Sequence, residues 1–185
     1  MPDADIVEIL FSEADIKARI QELGRAISQD YEGRTPYLVG VLRGVVPFMA
    51  DLVRAITIPL TLDFIAISRY GPSTRTRGVV HFIKDLDETI AGRHVLFVED
   101  VVDTGLTLNY ILSILRPRYP ATLQACTLLD RSVRRLVDDL PIAYKGFDLP
   151  DQFVVGYGLD YRQRYRNLPY VGILDPAVYL ADYEE

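Results

Sequence analysis

An acidic turn between a buried strand and a helix carries most of the chemistry in this sequence of 185 residues. Apolar residues 95–98 predict a strand, and Glu99 and Asp100 follow it directly. Asp103 comes next, within a stretch that reads VLFVEDVVDTGLT from position 95. Three carboxylates within five positions would repel a phosphate if all of them faced it. Some must therefore contact hydroxyl groups, a cation or a proton in transfer.

The residues after Asp103 predict a phosphate-binding turn. Thr104, Gly105 and Thr107 occupy the turn and the start of the helix. Backbone N–H groups at such a place point to solvent with the positive end of the helix dipole behind them, so they bind anions. The threonine hydroxyls would add donors, and Gly105 would let a phosphate approach the backbone. A helix-capping role would explain Asp103 but not the acidic pair Glu99 and Asp100 before it.

The elements that must position this turn alternate along the chain. Short apolar runs predict five more strands, at residues 37–42, 60–67, 124–129, 153–157 and 171–174. Apolar side chains at helical spacing predict three helices, at residues 16–27, 48–56 and 108–115. Ser12 is placed to cap the first helix, and Pro117 and Pro120 would end the last. This alternation predicts an α/β protein whose parallel sheet is buried on both faces, with ligands bound beyond the carboxyl ends of its strands.

One segment departs from the alternation. Residues 68–78 combine serine, arginine, tyrosine, glycine, proline and threonine with little periodicity. They predict a loop of about a dozen residues, a length typical of lids and binding loops. No internal repeat or interdomain linker is visible, so a single domain over residues 1–185 is expected.

Composition and charge exclude several classes of protein. With 49% hydrophobic and 25% charged residues, the chain is neither disordered nor fibrous. No apolar stretch approaches the roughly 20 residues of a membrane span, and no secretory signal is visible, so a cytoplasmic protein without a membrane partner is expected. The net charge of −6 weighs against a nucleic-acid partner.

The few cysteines and histidines limit the metal chemistry. Cys126 is the only cysteine, which excludes an internal disulfide. This cysteine together with His81 and His94 gives too few ligands for a Cys/His zinc site. Any metal must therefore be held by carboxylates.

The acidic turn resembles the 5-phosphoribosyl-1-pyrophosphate (PRPP) motif of the type I phosphoribosyltransferases. Residues 42–44, Leu-Arg-Gly after the strand at 37–42, resemble the pyrophosphate loop of that family. The run PDQFVVGYGLDY at 150–161, continuing through 165–169, is similar to the purine-binding region of the hypoxanthine-guanine phosphoribosyltransferases. Together with residues 128–131 the resemblance covers nearly the whole chain. It implies a Rossmann-like parallel sheet flanked by helices, with a small hood formed by the terminal segments.

The resemblance implies how the sugar phosphate would be held. Glu99 and Asp100 would hold the ribose hydroxyls, directly or through Mg²⁺, which is the implied cofactor. The 5-phosphate would bind the turn and helix start, formed by Asp103, Thr104, Gly105, Leu106 and Thr107.

The pyrophosphate would bind on the other side of the ribose. Arg43 and Gly44 would contact it, with a strained peptide bond between Leu42 and Arg43 that could be cis. Arg166 would add a second guanidinium, and Asp160 would ligate the magnesium attached to the pyrophosphate. Mg²⁺ prefers oxygen ligands and keeps waters, so one carboxylate with substrate oxygens is a reasonable site.

The resemblance also implies a binding mode for the purine. Phe153 would stack on one face, Val101 would press on the other, and the backbone of Val154 would read the exocyclic position. Arg131 would donate to the 6-oxo group, which favours hypoxanthine and guanine over adenine. Asp103 would accept the proton from N7 as the base attacks the anomeric carbon.

Three positions depart from the family pattern. Arg131 and Arg43 stand where relatives often have lysine, and the two cations differ in reach and geometry. Arg69 stands where serine often precedes the lid tyrosine, whereas Tyr70 itself matches. The lid contacts of Arg69 and Tyr70 are therefore expectations from the resemblance alone.

The implied activity is purine salvage, in which hypoxanthine, and guanine as well, reacts with PRPP to give IMP or GMP and pyrophosphate. A homodimer or homotetramer is implied too. Transfer to xanthine or uracil remains an alternative. So does a nucleotide-sensing regulator that binds RNA through the basic clusters at 131–135 and 162–166. A receiver-like domain phosphorylated on Asp100 would leave the C-terminal resemblance unexplained.

Overall fold

A six-stranded sheet is the centre of the fold. The computed structural model describes residues 2–68 and 81–180. In this part of the chain the large sheet contains β2 (Pro36–Leu42), β3 (Thr61–Ser68), β4 (His81–Lys84), β5 (His94–Val102), β6 (Thr122–Asp130) and β7 (Ile142–Asp148). Their order across the sheet is β4-β3-β2-β5-β6-β7. Every neighbouring pair is parallel except β3 and β4. The predicted α/β class is confirmed.

A second, smaller sheet is built from terminal segments. It contains β1 (Ile6–Phe11), β8 (Val154–Val155) and β9 (Val171–Leu174), in the order β1-β9-β8. Both pairs of neighbours are antiparallel. This sheet corresponds to the expected hood.

Four α-helices accompany the sheets in the described residues: α1 (Glu13–Asp30), α2 (Val46–Ala55), α3 (Leu106–Leu115) and α4 (Pro176–Leu180). The first begins with a capping box, as the position of Ser12 predicts. The backbone N–H of Asp15 donates to Oγ of Ser12 at 3.2 Å, and the Ser12 N–H donates to Oδ2 of Asp15 at 3.0 Å. The third helix ends in a 3-10 turn that contains Pro117.

The large sheet is buried on both faces, as its apolar strands predict. Leu38 and Leu96 belong to the core formed with α1 and α2, whereas Val39 and Phe97 belong to the core formed with α3. Successive strand residues point to opposite faces, so each strand supplies both cores. This leaves the carboxyl ends of the parallel strands as the edge at which polar side chains collect.

The parallel-sheet placement of residues 153–157 and 171–174 is wrong, because both segments belong to the hood. Val154 and Val155 pair antiparallel with Ile173 and Gly172. The strand predicted at 153–157 is also shortened to two residues, since Gly156 has a φ of 99° and leaves the extended conformation.

Three strands and one helix have no counterpart in the sequence predictions. The central residues of β1 are exposed, with Val7 at 63% and Ile9 at 52%, so β1 lacks the alternation of a half-buried strand. β7 contains Lys145 and Gly146, whose backbone carbonyls accept hydrogen bonds from Arg19 of α1. β4 and α4 are too short to give a periodic signal.

No helix among the described residues has the length and hydropathy needed to cross a bilayer.

Candidate active site

A cleft of about 730 Å³ opens at the carboxyl ends of β2 and β5. It lies between the acidic turn, the loop after β2 and the loop that follows β8. The structure brings twelve of the predicted site residues to its walls: Arg43, Gly44, Glu99, Asp100, Val101, Asp103, Thr104, Gly105, Thr107, Val154, Asp160 and Arg166.

Three other predicted residues are described but do not line this cleft. Leu106, the first residue of α3, is 54% exposed. Arg131 is buried beside Asp103. Phe153 stacks against Tyr179 of α4, with ring centroids 5.0 Å apart and an interplanar angle of 29°. The lid residues Arg69 and Tyr70 lie outside the described residues.

The loop after β2 lies directly on the acidic turn. The peptide bond between Leu42 and Arg43 is cis. A Cβ atom at Gly44 would collide with Oδ2 of Asp100, and one at Gly158 would collide with the carbonyl oxygen of Gly44. Glycine at both positions is what lets the three segments meet with no side chain between them.

The start of α3 presents backbone donors to the cleft. Gly105 is its N-cap residue, has a φ of 82° and makes no side-chain cap hydrogen bond. A Cβ there would come within 2.7 Å of Cδ1 of Leu140, so both the backbone angle and the space favour glycine. The Leu106 N–H has only a long contact of 3.4 Å to Oγ1 of Thr104. The backbone N–H groups of such an uncapped helix start are able to bind an anion.

Asp103 holds its two carboxylate oxygens in different surroundings. Oδ2 lies 3.3 Å from Nη1 of Arg131 and 3.9 Å from Nη1 of Arg134. Oδ1 is buried and has no hydrogen-bond partner among the described residues. A buried carboxylate oxygen without a hydrogen-bond partner is costly, so Oδ1 is suited to accept a hydrogen bond from a ligand N–H group.

Arg131 connects Asp103 to the segment before β8. Its Nε donates to the carbonyl oxygen of Pro150 at 3.2 Å, and its Nη2 donates to that of Gln152 at 2.6 Å. The residue is 8% exposed. Lysine could not fill this position equally well, because three separated acceptors require the donors of a guanidinium fork.

Arg166 and Asp160 form an ion pair inside the cleft. Nη2 of Arg166 lies 2.6 Å from Oδ1 of Asp160, and its Nη1 donates to the carbonyl oxygen of Gly158 at 2.6 Å. Nε of Arg166 is buried without a partner in the described part of the chain. The ion pair therefore still presents an unsatisfied cationic donor.

Tyr157 anchors the chain just before Gly158. Its hydroxyl donates to Oδ2 of Asp51 on α2 at 2.6 Å. Burial, followed by this contact with Asp51, raises the pKa of the Tyr157 phenol above its ordinary value. The phenol thus stays a neutral donor at any physiological pH and keeps Gly158 against the loop after β2.

Comparison with known proteins places this arrangement in a family. Residues 7–162 match the model of the phosphoribosyl transferase domain family. The hypoxanthine-guanine phosphoribosyltransferase of Bacillus subtilis is 47% identical over 175 residues, which cover 95% of this chain and 97% of the relative. The chain belongs to the hypoxanthine-guanine phosphoribosyltransferase family.

Solved structures of phosphoribosyltransferases agree with this assignment. The crystal structure of a hypoxanthine phosphoribosyltransferase from Staphylococcus aureus has a TM-score of 0.90 and 44% identity, with 96% of each chain covered. The Trypanosoma cruzi enzyme in complex with the product IMP has a TM-score of 0.88 and 39% identity, with 95% of this chain and 97% of that chain covered.

The carboxylates of this phosphoribosyltransferase fit a magnesium site that is completed by substrate. No group of three or more His, Cys, Asp and Glu side chains is placed to hold a metal among the described residues. Glu99 and Asp100 supply two adjacent carboxylates, and Asp160 supplies one across the cleft. Mg²⁺ is typically bound by one or two carboxylates together with substrate oxygens and waters. Carboxylates on both sides of the cleft, too few to hold the ion alone, suit a Mg²⁺ site of this kind.

Two residues at or beside the cleft escape prediction from the sequence. Gly158 belongs to the run at 150–161 that is similar to a purine-binding region, but its close approach to Gly44 depends on the tertiary fold. Gln163 lines the cleft and contacts both Arg43 and Arg166. The sequence offers no signal for it, because a glutamine in a loop is ordinarily a solvated side chain.

Proposed function

We propose that this phosphoribosyltransferase transfers the phosphoribosyl group of PRPP to hypoxanthine, and also to guanine, in purine salvage. The observation that carries the proposal is one cleft that joins an uncapped helix start, adjacent carboxylates, two arginines and the unpartnered Oδ1 of Asp103. These groups match the phosphate, the ribose, the pyrophosphate and the base of the substrates.

PRPP binding is assigned to three walls of the cleft. The 5-phosphate binds the segment 103–107 at the start of α3, and the ribose hydroxyls bind Glu99 and Asp100. The pyrophosphate binds Arg43, Gly44 and Arg166. Orientation of the two reactants and neutralisation of the leaving group supply most of the catalysis.

Asp103 is assigned the proton transfer. N9 of the base forms a bond to the anomeric carbon while the bond from that carbon to the pyrophosphate oxygen breaks. The proton on N7 passes to Oδ1 of Asp103, whose other oxygen stays beside Arg131. Because Oδ1 has no other partner in the described residues, it is available for this proton.

The base is assigned to the side of the cleft next to Val101 and Val154. Arg131 has five N–H bonds, of which three serve Pro150, Gln152 and Asp103, so others remain for the 6-oxo group. Adenine would present an amino group to this cation, which opposes its binding. Stacking by Phe153 requires its exposed face, since Tyr179 covers the other.

Mg²⁺ is the proposed cofactor. Glu99, Asp100 and Asp160 would hold it together with substrate oxygens. When bound, it would neutralise charge on the pyrophosphate leaving group.

The cellular setting completes the proposal. We expect a cytoplasmic enzyme with a single domain over residues 1–185 that works as a homodimer or homotetramer without nucleic-acid or membrane partners. Analytical ultracentrifugation of the full chain measures the assembly. A lid formed by residues 68–78, including Arg69 and Tyr70, would exclude water from the activated sugar.

The substrate range is tested by steady-state rates with PRPP, Mg²⁺ and each of five bases. Hypoxanthine and guanine should give the highest kcat/KM, with adenine, xanthine and uracil far below. A preference for xanthine or uracil would replace the proposed substrate. RNA binding without turnover of any base would identify a regulator instead.

A further inference from the structure

Gln163 joins the two arginines of the cleft. Its Oε1 accepts hydrogen bonds from Nη1 of Arg43 at 3.4 Å and from Nη2 of Arg166 at 3.3 Å. Its backbone N–H donates to Oδ2 of Asp160 at 2.8 Å. The residue itself adopts a left-handed backbone with a φ of 63°. One glutamine thus contacts both cations and the carboxylate opposite the acidic turn.

The chemistry of the arginines fixes the orientation of the amide. A guanidinium has only donors, so the side-chain oxygen of Gln163 must face them and its NH₂ group must face away. Two neighbouring positive groups repel each other, and a shared acceptor offsets part of that repulsion. Arg43 is exposed, and it makes no other side-chain hydrogen bond or ion pair with the described residues.

The position of the Arg43 side chain therefore depends on Gln163 more strongly than the position of Arg166 does. Arg166 is held independently by Asp160 and by the carbonyl oxygen of Gly158. Arg43 comes from the loop after β2, 120 positions away from Gln163 in the chain. Without the amide oxygen it would have to be ordered by the incoming anion, and ordering a long side chain on binding reduces affinity.

We propose that Gln163 is a positioning residue that pre-orders Arg43 and Arg166 for the pyrophosphate group. It acts through the arginines and does not take part in the chemical step. When the anion binds, Oε1 keeps both contacts, and the anion accepts hydrogen bonds from the remaining N–H groups of the two guanidinium groups. This inference rests on the proposed function, which places the pyrophosphate at the same arginines.

The test compares two substitutions at this position with a matched control. Gln163→Met keeps the length of the side chain and removes the acceptor, whereas Gln163→Glu keeps an oxygen. Gln21→Met makes the same chemical change on the exposed face of α1, away from the cleft. Inorganic pyrophosphate with Mg²⁺ is titrated by calorimetry, and KM is measured separately for PRPP and hypoxanthine.

We expect Gln163→Met to weaken pyrophosphate binding and to raise the KM for PRPP by ~5-fold, the equivalent of one lost hydrogen bond. The KM for hypoxanthine should change less than twofold. Gln163→Glu keeps an acceptor but adds a negative charge that repels the anion, so it too should bind pyrophosphate more weakly than wild type. Gln21→Met should behave as wild type.

The inference is overturned if Gln163→Met binds pyrophosphate as wild type does, or if the KM for hypoxanthine rises in parallel with that for PRPP. Failure of the proposed function looks different, because wild type itself would then not turn over hypoxanthine with PRPP. If wild type turns over hypoxanthine with PRPP and Gln163→Met binds pyrophosphate normally, only the role of Gln163 is refuted.

Discussion

Asp103→Asn tests the assignment of proton transfer. Asparagine preserves the size of the side chain but cannot accept a proton. Arg131 has only donors, so the amide oxygen should turn toward Nη1 of Arg131, which lies 3.3 Å from Oδ2 in wild type. The amide NH₂ group would then occupy the place of Oδ1 and meet the N–H of the base donor to donor.

The expected loss follows from this geometry. Removal of a general base typically slows the chemical step by about 10²–10⁴-fold, which corresponds to ~3–5 kcal/mol of barrier. The donor-to-donor contact places the loss in the upper half of that range. The ion pair with Arg131 involves an Asp103 side chain that is 40% exposed, so its loss costs ~1 kcal/mol of stability or less. That cost should not affect the chemical rate.

Single-turnover rapid quench with saturating PRPP and hypoxanthine measures the chemical step, and titration of PRPP measures its binding. Asp151→Asn is the control, because Asp151 pairs with the same Arg134 that approaches Asp103. The reasoning is refuted if Asp103→Asn keeps a near-normal single-turnover rate, or if activity falls only through weaker PRPP binding. Asp103 would then be a brace for the phosphate turn.

Three further predictions concern the base, the metal and pH. In Arg131→Lys the ammonium group cannot reach all three acceptors that the guanidinium contacts. The KM for hypoxanthine should therefore rise ~5-fold while that for PRPP stays within twofold. A variant whose KM for hypoxanthine equals that of wild type would contradict this. Excess chelator should abolish turnover and Mg²⁺ or Mn²⁺ should restore it, with Asp160→Ala requiring more metal; full turnover in chelator would refute the cofactor. Burial alone would raise the pKa of Asp63, but hydrogen bonds, led by the one from Lys84, hold that pKa below its ordinary value. Burial, followed by the hydrogen bond to Asp63, raises the pKa of Tyr37 to about 12. Stability should therefore begin to fall below about pH 4, where the carboxyl group of unfolded Asp63 is protonated, and above about pH 10, where the unfolded tyrosine ionises. Denaturation curves of Asp63→Asn with an unchanged acid limb would count against this.

The buried parts of the fold were predictable because each strand of the large sheet packs on both sides. Leu38 and Val39 lie in different cores, and runs of this kind stand out in a sequence. β1 was not predictable, because its exposed Val7 and Ile9 have no periodic pattern and its partner β9 lies at the other end of the chain. Strand β8 ends early at Gly156, whose backbone angle depends on its tertiary position.

The candidate site also has a part that the local sequence predicts and a part that it does not. The acidic turn and its glycine carry local signals, because a strand end, a turn and a helix start lie within a few residues of one another. The contacts that complete the site are long-range. Arg131 reaches Asp103 across 28 positions, and Gln163 reaches Arg43 across 120. No spacing rule predicts such contacts. The first depends on the pairing of β5 with β6, and the second on how the loop after β8 lies against the loop after β2.

The most direct test of the account is the product balance of one reaction. Full-length protein is incubated with PRPP, hypoxanthine and Mg²⁺, and nucleotide and pyrophosphate are quantified together by chromatography and ³¹P NMR. The account predicts IMP and pyrophosphate in equal amounts, with no product when hypoxanthine is omitted. Pyrophosphate released without IMP, or no consumption of PRPP at all, would contradict it.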